Sequence, residues 1–388
     1  MSRKIFAYVS SWSHGERASG LSLYQYHQEN GALSLVRRLN DQTEFSVSTV
    51  DQERGILYIL DESGNLPGFR TSGGGRLFAF RIDPVSGELE QISCVPTYCP
   101  NPSYVTVDLC KKYLVVSNHA GRACVTKLVR DAYGKIHLCL EYDDSVVELF
   151  ALNEDGSVGE LLDAVKHEGS GPDLKFQNNP HPHCAVMSPC GKFFTVCDKG
   201  NDGIYMYTID RVRGRLIPAG PPSVCVPGSR PRFCAYHPTR PYLYNNNEGR
   251  AQVDAYQYDR YGHIELIGSF GIQTEGNRDL PGEWVQQDFR IDRNGKFLYS
   301  LVSSPALVAV YQVDQATGKL DLIQNMKLAG EGARGCALSP DGRFLLVACA
   351  KSGAVLTLAV GKDGLLTETD FAAAQPSAAF LSFYQSPM

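Results

Sequence analysis

Apolar residues alternate with polar ones in short runs along this chain, and each run is followed by a polar turn that contains a glycine. The pattern recurs seven times, in LYQYHQENGALSLV, LFAFRIDPVSGELEQI, ELFALNEDGSVGEL, IYMYTIDRVRGRLIPA, VDAYQYDRYGHIELI, VAVYQVDQATGKLDLI and VLTLAVGKDGLLTET. A period of two turns one face of a strand toward a core and the other toward water. The turn glycines are Gly31, Gly87, Gly156, Gly214, Gly262, Gly318 and Gly364, spaced 46 to 69 residues apart. Each is expected to provide the positive φ that such a hairpin needs.

A second run recurs between these hairpins: KIFAYVSSW, RGILYILDE, KKYLVVSNH, GKFFTVCDKG, RPYLYNNNE, GKFLYSLVSS and GRFLLVACAKS. Several copies follow a strand and turn of their own, as in AVMSPCGK, CAYHPTRP, FRIDRNGK and CALSPDGR. Each unit therefore reads as four short strands, A to D. One such sheet cannot bury both faces alone, whereas a ring of stacked sheets can. The expectation is an all-β, seven-bladed β-propeller with four-stranded antiparallel blades. The chain opens on strand B of the first blade, so FAAAQPSAAFLSFY near the C-terminus should supply its strand A and close the ring. Segments with a helical period are absent, which argues against α/β folds. No linker-like stretch divides the sequence, so residues 1–388 read as a single domain, with an extra hairpin inserted at about 122–145.

In an antiparallel blade the start of strand A, the end of strand B and the B–C and D–A connections share one mouth of the ring. The long irregular stretches at 64–75, 166–182 and 268–286 all fall on that mouth, and long loops on a rigid scaffold are where binding concentrates. Strand-B ends bring Asp61, Glu62, Asn118, His119, Asp198, Lys199, Asn247, Glu248 and Lys351 there. Strand-A starts bring His181, His183, Arg230, Arg232, Asp288 and Arg334. Charges of both signs converging on a central pocket suit a small polar or anionic ligand.

Composition narrows the partners. The chain carries a formal charge of -5 and no basic cluster, so nucleic acid is not an expected partner. No apolar run approaches the ~18 residues of a spanning helix, so a membrane is not expected either. The start, MSRKIFAYVSSW, lacks the apolar core and cleavage site of a secretory signal. The twelve cysteines form no C-x-x-C pair, and most sit in apolar runs, where they read as small buried hydrophobes of a reducing, cytoplasmic setting. His181-x-His183 could offer two metal ligands, but no third is evident, so neither a metal nor a cofactor is expected. The glycines at 73–75 lack the lysine of a phosphate-binding loop, and no G-x-S-x-G elbow is present.

Two blocks carry a resemblance. HEGSGPDLKFQNNPHPHCAVMSPCGKFFTVCDKGNDGIYMYTID is similar to a GSGP…HxH…SPDGR…DLGxD block, and GSRPRFCAYHPTRPYLYNNNEG to GPRHxxFHP followed by an Asn-Glu pair. With the other blades in order, the chain resembles, nearly end to end, the seven-bladed propeller lactonases. That family includes propeller-type 6-phosphogluconolactonases and the fungal carboxy-cis,cis-muconate cyclase. Carried over by motif, the resemblance implies His183, Arg232 and Glu248 as active-site groups. Arg334, His119, His181, Asp288, Asn247, Asp198 and Lys199 are the expected substrate contacts. Departures are visible. Phe233 stands where the family has a histidine, Val302-Ser303 where an arginine follows an asparagine, and Asp288 where glutamate is frequent.

Lactone hydrolysis is acyl transfer to water, and it needs a base and a cation for the developing oxyanion. A histidine titrates near neutrality, which suits His183 as the base. The planar fork of Arg232 suits an oxyanion, carboxylate or phosphate. Glu248 could orient His183, bind sugar hydroxyls or act as base. The leading expectation is a cofactor-free lactonase acting on a sugar lactone. Two alternatives stay open: a cycloisomerase that closes an unsaturated acid onto its carboxylate, and a propeller that binds a metabolite or protein without catalysis.

Overall fold

A computed structural model describes residues 3–13, 20–39, 43–66, 68, 73–119, 124–277 and 279–387. It is a seven-bladed β-propeller. Blade 1 orders its strands as Ala378–Gln385, Ile5–Ser11, Leu21–Tyr26 and Leu33–Leu39, so the last strand pairs with the first and closes the ring. Blade 2 holds Phe45–Asp51, Ile56–Asp61, Arg76–Ile82 and Leu89–Pro96. Blade 3 holds Pro102–Val107, Tyr113–Asn118, Val146–Leu152 and Val158–Lys166. Blade 4 holds Pro182–Met187, Phe194–Asp198, Gly203–Asp210 and Arg215–Pro218, with Ser223–Val224 added beside the third.

The remaining blades are regular. Blade 5 runs Pro231–Tyr236, Tyr242–Asn247, Gln252–Tyr258 and Ile264–Gly271. Blade 6 runs Gln286–Ile291, Phe297–Ser303, Ala306–Val313 and Leu320–Lys327. Blade 7 runs Ala333–Leu338, Phe344–Cys349, Ala354–Val360 and Leu366–Ala374. We call the strands of each blade A to D in the order given, and every pairing is antiparallel. Neighbouring A strands touch all the way round, so they line the central channel. B strands such as Ile56–Asp61 and Phe344–Cys349 are buried along their whole length, while the outer strand Leu33–Leu39 is mostly exposed. Between strands B and C of blade 3, Cys124–Arg130 and Ile136–Tyr142 form a separate two-stranded sheet.

The seven C–D turn glycines all have positive φ, from 64° at Gly214 to 95° at Gly262. Conformation is only half of their task. A Cβ on Gly364 would lie 2.3 Å from the Phe297 ring, and one on Gly87 2.6 Å from Phe6. Gly31 meets Phe344, Gly262 meets Phe193 and Gly318 meets Tyr242 in the same way. Each of these turns is thus seated on an aromatic ring at the start of strand B in the preceding blade. That contact explains the Phe or Tyr at the start of these B strands, whereas Gly156 meets Ile56 in blade 2. Tyrosines reinforce it: the hydroxyls of Tyr8 and Tyr58 donate to the carbonyls of Gly87 and Gly156 at 2.8 Å.

All twelve cysteines are free thiols. Cys184, Cys197, Cys225, Cys234, Cys336 and Cys349 are buried, as expected of small hydrophobes. Cys94, Cys110, Cys124, Cys139 and Cys190 are exposed, because they lie on outer strands, A–B turns and the inserted hairpin rather than in the blade interfaces. Among the described residues, no helix is long and apolar enough to cross a membrane.

Candidate active site

One register rule builds the cup at the B–C mouth. In all seven blades the pairing of strands A and B slips just after its first pair, for example between Pro182 and Cys184 and between Ala333 and Gly335. The same slip occurs in blades 1, 2, 3, 5 and 6. A bulge of this kind re-aims the side chain within it. The residue after the first A-strand pair is Ala379, Ser46, Ser103, His183, Arg232, Gln287 or Arg334. The residue after strand B is Glu62, His119, Lys199 or Glu248 in blades 2 to 5, and Trp12 in blade 1. Nine of these, together with Asn101, Phe176, His181 and Val285, line a cavity of about 640 Å³.

Within the cup, Arg232 donates to Glu248, and the Lys199 ammonium lies 3.4 Å from the same carboxylate. Burial by itself would raise the Glu248 carboxyl, but the charges of Lys199, Arg232 and Arg230 outweigh it and hold the group well below the usual carboxylate range. Across the cup, Glu62 lies 3.4 Å from His119 Nε2 and 3.8 Å from Arg334. Burial opposes ionisation of Glu62 too, and the His119 hydrogen bond with the Arg334 charge again wins, so its titration is lowered. The Arg334 guanidinium lies over the Trp12 ring, 3.5 Å from its centroid. Burial brings Arg334 down to about 10, with Glu62 opposing.

His183 sits between these pairs. Its ring stacks on His119 with centroids 5.3 Å apart and meets Phe233 edge-on at 5.1 Å. Burial first, then the charges of Arg232 and Lys199, push its titration well below the ordinary histidine range, so the imidazole is neutral at neutral pH. Its Nδ1 is buried and has no hydrogen-bond partner among the described residues. His119 is lowered as well, mainly by burial. His181 is brought down to about 4 by burial and by Lys199. The Nδ1 of His181 donates to the His119 carbonyl, and its other ring nitrogen lies 3.2 Å from the Asn178 amide.

The cup therefore gathers His183, Arg232, Glu248, Arg334, His119, His181 and Lys199. Three other sequence candidates lie outside it. Asp198 accepts the backbone N–H of His181 at 2.6 Å and of Gly200 at 2.9 Å, and it pairs with His167 at 2.7 Å. Asn247 donates to Asp254 at 2.8 Å and accepts from Asn245 at 2.9 Å. Asp288 accepts from the N–H groups of Phe289 and Cys336 and from Arg290, at 2.7, 2.8 and 2.6 Å. Their carboxylate or amide groups hold strands and neighbouring blades together rather than facing the cavity.

The sequence reading passed over Trp12, Asn101, Phe176, Val285 and Gln287, and it gave Glu62 no role. Trp12 and Glu62 could have been found by setting the ends of the B strands side by side with those of His119, Lys199 and Glu248. Among the described residues, one trio gathers metal-type ligands: the sulfurs of Cys184, Cys197 and Cys234 lie within 4.8 Å of one another. They are fully enclosed in the apolar core below the cup, where thiols pack as small hydrophobes. At the opposite end of the ring, blades 1, 2, 6 and 7 frame a groove of about 660 Å³ around Arg290, Asp292 and Asp341. It contains no histidine.

Comparison with known proteins identifies the family and the fold. Residues 6–383 match the family described as lactonase, seven-bladed β-propeller. A 6-phosphogluconolactonase of Bacillus subtilis is 25% identical over 372 residues, covering 94% of both chains. A 6-phosphogluconolactonase of Formosa agariphila is 23% identical over 88% of each. The structure of a periplasmic gluconolactonase of Pseudomonas aeruginosa superposes with a TM-score of 0.86 at 23% identity, covering 100% of both chains. At that identity it speaks for the fold.

Proposed function

Since the chain belongs to the seven-bladed β-propeller lactonase family, we propose that its cup hydrolyses the lactone of a sugar acid. The observation that carries this reading is a neutral, buried imidazole, His183, in one cavity with the guanidinium of Arg232. Because Nδ1 of His183 is enclosed, Nε2 is the nitrogen left to meet the cavity. In this reading Nε2 takes a proton from water as the water oxygen attacks the lactone carbonyl carbon. Arg232 faces the oxyanion of the tetrahedral intermediate. Collapse breaks the bond to the ring oxygen, which regains the proton from the imidazolium and leaves as the hydroxyl of the product acid.

Glu248 is then a positioning residue. It holds Arg232 and Lys199 rather than His183. Asn101 and Gln287 offer hydrogen bonds to sugar hydroxyls, and the aromatic groups Trp12 and Phe176 offer flat apolar surface. Three cations, Lys199, Arg232 and Arg334, face two carboxylates, Glu62 and Glu248, so the cup carries an excess of one positive charge while its histidines are neutral. That balance favours a lactone that carries negative charge over an uncharged one. The test is lactone opening followed above the spontaneous rate, in oxygen-18 water. The hydrolytic reading expects saturable acceleration and one labelled oxygen in the product. Acceleration without label would instead indicate cyclisation chemistry, and no acceleration with any sugar lactone would leave a binding protein.

A further inference from the structure

The inserted hairpin of blade 3 is a two-sided ribbon with an unusual distribution of side chains. Paired residues point to the same face of a two-stranded sheet. One face therefore carries Cys124 with Tyr142, Thr126 with Leu140, Leu128 with Leu138, and Arg130 with Ile136. The other carries Val125 with Glu141, Lys127 with Cys139, and Val129 with His137. The second face is tied by a Lys127–Glu141 ion pair, and His137 pairs with Asp131 of the turn at 2.7 Å. The first has no such pairing in its centre: Leu128 is 74% exposed, Leu138 67%, Ile136 53% and Leu140 47%. Among the described residues no further strand pairs with the ribbon, so both edges are open. A lone two-stranded hairpin is marginal in water, and open edges invite pairing.

We propose that this face is the contact surface between two copies of the chain. The pattern is self-complementary. If two ribbons pack face to face and antiparallel about a two-fold axis, the Leu128–Leu138 row of one lies on the Thr126–Leu140 row of the other. The Arg130–Ile136 row at the tip then lies on the Cys124–Tyr142 row at the base. Arg130, which donates to the Gly134 carbonyl of its own turn, lies over Cys124 with Tyr142 and Asp143 beside it, and the symmetric contact repeats at the other end. Covering both faces removes on the order of 1,200 Å² from water, the lower end of what a specific association uses.

The mass of the full chain in solution, read by light scattering at tens of micromolar, tests this. The expected species is a dimer. Leu128→Glu with Leu138→Glu should give a monomer with an unchanged melting temperature. Arg130→Glu should weaken the dimer roughly tenfold, as expected for loss of a charge pair, and adding Asp143→Arg to it should restore association. A monomeric wild-type chain, or a dimer that survives both leucine substitutions, would overturn the proposal. Binding of some other protein to this face by a chain that is itself monomeric would overturn it as well.

Discussion

The guanidinium of Arg232 donates to the carboxylate of Glu248 across strands A and B of blade 5, with side chains only 7% and 10% exposed. A buried pair of this kind is costly to break from one side, because the remaining charge is left in a poor solvent. Glu248→Ala should therefore lower stability by about 3 kcal/mol and reduce kcat as Arg232 loses its anchor. Glu248→Gln, which keeps a hydrogen-bond acceptor, should retain more of both. Thermal melts and lactone kinetics on the two variants check this. Equal effects in both would remove the positioning role.

Loss of the proposed base should act on turnover. His183→Ala should cut kcat by roughly a hundredfold, within the range of general-base catalysis, while KM changes little. In the wild type the pH profile of kcat/KM should stay flat through pH 6.5 and fall only at lower pH, since burial and two cations lower the His183 titration. A profile that breaks at or above the ordinary histidine value would contradict the environment described for this ring.

The same three histidines make stability depend on pH. His119, His181 and His183 all titrate lower in the folded chain than in the unfolded one. Between those two values the unfolded chain binds more protons, so acidification favours unfolding. Melting temperature should hold above about pH 6.5 and decline below it, by up to roughly 1.4 kcal/mol per pH unit for each histidine still neutral in the fold. For His181 the window extends down to about pH 4. Replacing His181 and His119 with Gln should flatten the decline.

Charge in the cup should sort substrates. A sugar lactone that carries a carboxylate or phosphate should give a kcat/KM at least roughly tenfold above its uncharged counterpart, the effect of about one net positive charge. Parallel kinetics on the two esters decide it. A preference for the uncharged lactone would mean that Glu62 and Glu248, rather than the cations, face the substrate.

The turn glycines differ in what surrounds them. Gly364→Ala must place a methyl 2.3 Å from the Phe297 ring at a φ of 81°, so a loss of about 2 kcal/mol or more is expected. Gly134→Ala, at a φ of 80° with open space around it, should cost only about 1 kcal/mol and act on the hairpin alone. Urea titration of the two variants separates strain from crowding.

These glycines also show what was legible beforehand. Period-two runs and seven spaced turns were enough to specify blades, ring and closure, because each depends on local pattern. The cup was legible to within one residue. Asp198 and Asn247 stand immediately before Lys199 and Glu248, and Asp288 immediately after Gln287. Along a strand, a slip of one position exchanges the two faces, and here a bulge sets which residue turns inward. A bulge leaves no mark in composition. Phe176 and Asn101 come from loops, where periodicity gives no address at all.

The pairing of Ala378–Gln385 with Ile5–Ser11 means that the first blade cannot be finished until residues 378–385 have been synthesised. A nascent chain holding six blades has an open gap facing blades 2 and 7, and its cup lacks the wall that carries Trp12. A polypeptide cut short before residue 378 would carry His183, Arg232 and Glu248 on a ring that never locks.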